Sequence, residues 1–241
     1  MSVLSLIGII GCGKSSTNDL PPGRPDIFAG ARHRMVREQL EEAWRSITNA
    51  RVLAAMDCVP RHEFVPEQDR RRAYDDGPLP IGYAQTISQP YIVAFMTQQL
   101  ELQPTDRVLE VGTGSGYQTA VLAELVREVY TIEIVVPLAR RAEGDLNRLG
   151  YTNVHVRVGD GYQGWPETAP FDAIIVTCAP ESVPQPLVHQ LKDGGRMIIP
   201  VGHMGNQELV QLRKEGGKLE RRAVLPVRFV PMTGEAGRRR E

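Results

Sequence analysis

Cysteine is scarce and scattered. Three occur in 241 residues, at Cys12, Cys58 and Cys178. That is too few, and too widely spaced, for a disulfide framework or for the ligand spacing of a zinc site. Cys58 and Cys178 are expected as buried reduced thiols, and no metal is expected. Long apolar runs are also missing: none reaches the roughly eighteen residues that a transmembrane helix needs. Charge of one sign is not in excess. The formal net charge is −1, so no whole-molecule field draws the chain to nucleic acid or to a membrane. The Arg238-Arg239-Arg240 run reads as a solvated basic tail over 236–241. No internal repeat is visible. With 41% hydrophobic and 24% charged residues, the chain suits one sizeable globular domain with a small appended part.

A phosphate-binding pattern occurs and fails its context. Gly8-Ile-Ile-Gly-Cys-Gly13-Lys14-Ser15 matches the P-loop spacing, which works only when a strand delivers it and a helix follows at once. Residues Val3 to Ile10 could form the strand. The continuation, Ser15 through Pro25, carries three prolines and a polar run and cannot form that helix. The same stretch, Ile9-Ile10-Gly11-Cys12, resembles a lipoprotein cleavage box, although the apolar segment is short and no basic residue precedes it. Residues 1–25 are read as a leader or tether outside the fold.

From Ala31 the pattern is helical, with Val36, Leu40, Ala43, Trp44 and Ile47 on one face. Asn49 is placed to cap a second helix carrying Val52, Met56 and Val59, ended by Pro60. A loop rich in Pro, Gly and Asp runs from Pro66 to Gly82. Ser88 is the expected N-cap of a third helix, with Pro90 in its first turn. Residues 26–105 thus form a helical cover. After Pro104 strands alternate with helices. The expected strands are Arg107–Val111, Val129–Ile134, Val154–Val158, Ala173–Val176 and Met197–Val201. Helices are expected over Tyr117–Arg127, Pro137–Leu149 and Val183–Leu191, the last closed by Gly194-Gly195. Repeating strand–helix units require a parallel sheet covered on both faces. A final strand–turn–strand, Glu208–Leu212 then Val224–Val230, is expected as an antiparallel edge. The fold class is α/β, with the nucleotide-binding domain over 106–235.

A second glycine loop does stand between a strand and a helix. In Arg107-Val-Leu-Glu-Val-Gly112-Thr-Gly114-Ser-Gly116-Tyr117, backbone amides can approach a ligand closely and the helix start offers positive potential. A dinucleotide loop needs Gly-x-Gly-x-x-Gly/Ala with a small sixth residue. Here the sixth is Tyr117 and the third glycine comes one residue early. The Gly-x-Gly-x-Gly spacing, with Glu110 two residues ahead of it, resembles instead the first motif of class I S-adenosylmethionine-dependent methyltransferases. In those proteins the acid faces a cationic ligand. Glu133, ending the next strand nineteen residues after Gly114, can accept both ribose hydroxyls. Gly159-Asp160-Gly161 ends the third strand, where such proteins set an Asp near the adenine amino group.

Four longer stretches narrow the resemblance: Val59–Pro66, Ala73–Met96, the glycine-loop segment and Phe171–Gly202. Together, from about Met35 to about Thr233, they are similar to protein-L-isoaspartate O-methyltransferases. The resemblance implies a three-layer Rossmann-like methyltransferase sheet, mostly parallel with an antiparallel C-terminal edge. It implies protein repair: methyl transfer from S-adenosyl-L-methionine to the free α-carboxylate of L-isoaspartyl residues in damaged proteins and peptides. Ser88 is implied as catalytic. Gln85, Thr86, Glu110, Gly112, Gly114, Gly116, Glu133, Asp160 and Gly161 are implied on the cofactor, and Ala179, Pro180 and Thr233 on the substrate side. A cytoplasmic monomer without a nucleic-acid partner is implied, with lipid anchoring at Cys12 as the alternative. The motifs hold no nucleophile-and-base pair, which suits an acceptor that is already a carboxylate. His62 and His203 receive no role. A different small-molecule carboxylate or hydroxyl remains the alternative acceptor.

Overall fold

The computed structural model describes residues 26–42, 45 and 47–235. The leader with its P-loop match and Cys12, the helix-face residues Ala43 and Trp44, and the basic tail lie outside the described residues.

The chain enters through α1 (Ala29–Arg34), which runs on as a π-helical turn over Met35–Leu40, and then α2 (Ala50–Cys58). Asn49 caps α2 as expected, its side chain accepting from Arg51 and Val52 N–H at 3.0 and 3.3 Å. The Pro-rich stretch expected as loop holds a small hairpin of β1 (Leu79–Gly82) and β2 (Gln85–Ile87). Helix α3 follows at Pro90–Gln99. Its N-cap is Gln89 and not Ser88, which stands one residue further out. Pro90 does occupy the first turn, where its missing N–H costs nothing.

The sheet begins with β3 (Arg107–Val111). It continues through α4 (Tyr117–Ala123), β4 (Glu128–Glu133), α5 (Val136–Arg148), β5 (Val154–Val158), β6 (Phe171–Val176) and α6 (Gln185–Gln190). Three long strands close it: β7 (Leu191–His203), β8 (Asn206–Glu215) and β9 (Lys218–Val227). The order is β5-β4-β3-β6-β7-β8-β9, parallel as far as β7 and antiparallel beyond. The expected α/β class and antiparallel edge are borne out. Some boundaries differ. Helix α4 stops at Ala123, where Asn153 Nδ2 donates to the carbonyls of Ala123 and Val126. Gly194 and Gly195 lie inside β7 rather than closing α6.

Every residue of α4 is buried, since it lies between the sheet and the N-terminal cover. Helix α5 buries Leu138, Ala139, Ala142 and Leu146, one face at helical spacing. Arg61 locks the cover to α4. It is fully buried, its Nε donates to the Ala73 carbonyl at 2.7 Å, and its guanidinium lies 4.8 Å from the centre of the Tyr117 ring. Burial lowers its pKa to about 10, so it stays a cation at neutral pH. Cys178 is a free thiol, as expected. Among the described residues no helix is long and apolar enough to cross a membrane.

Candidate active site

Strand order reverses direction at β3: β4 lies on one side and β6 on the other. In open parallel sheets ligands bind at that switch point, beyond the C-terminal strand ends. Here the ends of β3, β4 and β6 open into a cleft of about 940 Å³, its mouth included. Residues of β2 and α3 line it, and so do residues 230–233.

The glycine loop forms the floor. Gly112 has φ +98°, and a Cβ there would come within 2.3 Å of Thr177 Oγ1. Glycine is therefore required for this close approach. Thr177, just past β6, staples the loop: its hydroxyl lies 3.0 Å from the Val111 carbonyl and 2.7 Å from that of Gly112. Glu133 closes the other side. One of its oxygens accepts from Gly114 N–H at 2.8 Å and the other from Val135 N–H at 2.9 Å. Each oxygen keeps lone pairs for a further donor, which fits a pair of ribose hydroxyls.

The outer wall is a strap over residues 228–235. Ala179 N–H donates to the Val230 carbonyl at 2.8 Å, and Met232 N–H donates to the Ala179 carbonyl at 2.9 Å. The buried Gln207 side chain holds Phe229 by both its N–H (2.6 Å) and its carbonyl (3.1 Å). Asp160 takes Tyr162 N–H on one oxygen (3.0 Å) and Glu235 N–H on the other (2.7 Å). Between them Gly234, at φ +77°, lies so near that a Cβ would come 2.5 Å from that carboxylate.

No histidine or lysine is among the residues lining the cleft. Its ionisable side chains are Tyr117, Glu133, Asp160 and Cys178. Burial raises the Cys178 thiol to about 12 and raises Tyr117 above the usual phenol range, so neither yields a base at neutral pH. His62 is buried, bonded to the Tyr74 hydroxyl at 2.8 Å and stacked on Phe28. His203 is exposed and pairs with Glu181 at 3.1 Å. Among the described residues no cluster of acidic, His or Cys side chains could hold a metal.

The whole chain matches known proteins on the same reading. The family description that it matches, over residues 31–237, is Protein-L-isoaspartate(D-aspartate) O-methyltransferase. The chain belongs to the protein-L-isoaspartate O-methyltransferase family. A protein-L-isoaspartate O-methyltransferase of Opitutus terrae is 54% identical, over 98% of this chain and 97% of that protein. One of Gloeobacter violaceus is 56% identical over 83% of this chain and 98% of its own length. Two solved structures of the same family superpose. One has TM-score 0.75 and 28% identity, covering 85% of this chain and 67% of that one. The other, from Plasmodium falciparum, has TM-score 0.74 and 27% identity, covering 84% and 98%; it was solved with S-adenosyl-L-homocysteine.

Seen as an isoaspartate methyltransferase, the chain brings most of its expected site residues to the cleft. Gln85, Thr86, Ser88, Gly112, Gly114, Glu133, Asp160, Gly161 and Thr233 all line it. Four do not. Glu110 shares its sheet face with Val108, because side chains alternate along a strand. It is fully buried beneath the loop, accepting from Thr119 Oγ1 at 2.5 Å. Gly116 is the left-handed N-cap of α4 and packs on α5. Ala179 tethers the strap, and Pro180 is a buried acceptor for Gly202 N–H at 3.0 Å.

Three contributors escaped the sequence reading: Asp76, Thr177 and Gly234. Asp76 accepts from Gln89 Nε2 and from Arg45, both 2.7–2.8 Å on one oxygen, and so fixes the approach to α3. The Arg45 hydrogen bond holds its carboxyl below the usual range. The Asp75-Asp76-Gly77 turn was the available signal for it.

Proposed function

We propose that this chain transfers a methyl group from S-adenosyl-L-methionine to the free α-carboxylate of L-isoaspartyl residues in damaged proteins and peptides. The products are the methyl ester and S-adenosyl-L-homocysteine. The observation that carries the reading is membership of the family over residues 31–237, and the cleft is consistent with it. When bound, the donor supplies an electrophilic methyl group on a positively charged sulfur. The roles of this chain's residues follow from where they stand. Glu133 holds the ribose, Asp160 and Gly161 bound the adenine side, and Gln85, Thr86, Gly112 and Gly114 enclose the amino-acid end. Glu110, Gly116, Ala179 and Pro180 act from behind as positioning residues, and Thr233 faces the acceptor.

An α-carboxylate has a pKa near ~3.5 and is ionised at neutral pH. No proton has to leave it, so a cleft without His or Lys loses nothing. What the acceptor needs is a held orientation and a dry surrounding. Ser88 supplies a hydroxyl for the first; it has no hydrogen-bond partner among the described residues. Val93, Met96 and Ile132, all buried and all on the cleft wall, supply the second.

The test uses two peptides of one sequence, with L-isoaspartate or L-aspartate at one position, and isotopically labelled donor. Label should enter the isoaspartyl peptide and leave on mild base as methanol. Equal labelling of both peptides would remove the isoaspartyl selectivity; labelling of neither, while a small carboxylate or hydroxyl compound is methylated, would replace this acceptor with the alternative one. We also propose a cytoplasmic monomer, on family resemblance alone; sedimentation of the purified chain and cell fractionation test it.

A further inference from the structure

Seven tyrosines occur in the chain. Six are buried or half-buried. Tyr83 alone is exposed, at 58%. Its hydroxyl makes no hydrogen bond, and its ring no aromatic or cation contact, among the described residues. The ring therefore ties nothing together by a polar, aromatic or cation contact. Its backbone works against the fold. Tyr83 and Ala84 have φ +53° and +55°, both left-handed. They are the two central residues of the β1–β2 turn, positions where glycine or asparagine relieves the crowding that other side chains suffer. A side chain kept against local strain, and without any such contact, points outward to a ligand.

The turn is also held firmly. Arg141 of α5 donates to the Ile81 carbonyl at 2.8 Å. Ile81 is buried and its Cδ1 reaches the glycine loop, 3.6 Å from where a Gly114 Cβ would lie. Two residues after Tyr83, Gln85 begins the stretch to Ser88 that lines the cleft. Tyr83 is thus an unpartnered aromatic ring on a held turn, five residues before Ser88, the residue proposed above to face the acceptor. Ile134, a partly exposed apolar side chain just after β4, lines the same cleft. A ring with few rotatable bonds gives contact area at little entropic cost.

We propose that Tyr83 is a specificity-determining residue, receiving the side chain that flanks the isoaspartyl residue and favouring an apolar or aromatic one. This rests on the acceptor reading above. The test compares two isoaspartyl peptides that differ only in the flanking residue, Leu or Gly, on the wild type, Tyr83→Ala and Tyr83→Phe. S-Adenosylhomocysteine affinity is measured alongside. The wild type should prefer the Leu peptide. Tyr83→Ala should lower kcat/KM for that peptide about five- to tenfold, through KM, as expected for losing one aromatic contact. The Gly peptide should be unaffected, so the preference disappears. Tyr83→Phe should keep it, and Tyr83→Gly should lose it while melting no lower than the wild type. An undiminished preference in Tyr83→Ala would overturn the proposal. So would a parallel fall in S-adenosylhomocysteine affinity, which would assign the ring to the donor. A wild type that methylates neither peptide sinks the acceptor reading itself, and this one with it.

Discussion

Ser88 stands one residue outside α3, and that offset matters to its role. A serine capping the helix would spend its hydroxyl on a backbone N–H; here Gln89 holds the cap position without a side-chain bond. On the proposed function, that leaves the Ser88 hydroxyl for the acceptor. Replacing it by Ala removes a hydrogen bond to a charged group, worth about 1.5–3 kcal/mol, so kcat should fall about ten- to a hundredfold. Thermal melting should stay near the wild type. A kcat within twofold of wild type would take Ser88 out of the mechanism. Glu110 carries a different expectation. Burial raises its pKa to about 8, against the ordinary 4.5, with the neighbouring Glu133 charge adding to it. The folded protein therefore holds a proton that the unfolded chain releases. Below about 4.5 both states bind it and the stabilisation is complete. As pH rises from there through about 8 it is lost. Melting curves should show Glu110→Gln losing less stability than the wild type over that window. Parallel pH profiles would show that Glu110 is ionised throughout.

Among the elements, the strap depends on a single small residue. At Gly234 any Cβ meets the Asp160 carboxylate and must adopt a left-handed backbone, at a cost of about 1–2 kcal/mol. Gly234→Ala should loosen the strap and raise the peptide KM about five- to thirtyfold, while the melting temperature changes little. Unchanged peptide KM would mean that the strap takes no part in holding the acceptor. The elements also show what a sequence reveals. The glycine loop was legible because strand, loop and helix are contiguous and each has its own period. The β1–β2 hairpin was not: Pro80 and Gly82 interrupt the alternation that marks a strand, and its turn has neither Asn nor Gly at its centre. Of the strap, only Thr233 was marked, and how the segment is held was hidden for another reason. Its partners, Gln207 and Asp160, lie 22 and 75 residues away along the chain, and nothing local marks such pairing. Glu110 was found as a motif residue but set on the wrong side of the loop. A motif gives identity and spacing; only the strand's alternation gives the face.

At the scale of the molecule, the cleft is assembled from the cover, the middle of the sheet and the final strap. A ligand that binds there touches all three. S-Adenosylhomocysteine at a hundred times its Kd should therefore stabilise the whole chain by about 2.7 kcal/mol. Melting should move up about 5–10 °C as one transition. A ligand effect confined to part of the unfolding signal would mean that the cover and sheet melt separately. Architecture at this scale was the most readable from sequence, since alternating strand and helix periods admit few topologies. The site was less so, because its walls come from three distant stretches.

The strap follows every strand of the sheet in the chain, so translation reaches it last of all the parts that bound the cleft. The sheet can form while residues 228–235 are still unmade, but one side of the donor's berth is then missing. A nascent polypeptide would thus acquire competence only once residues 228–235 have been made and have left the ribosome. Ribosome-stalled chains ending before Phe229 should fail to retain labelled S-adenosylhomocysteine, and chains stalled well beyond Glu235 should retain it. Equal retention by both would show that the berth is complete without its last side.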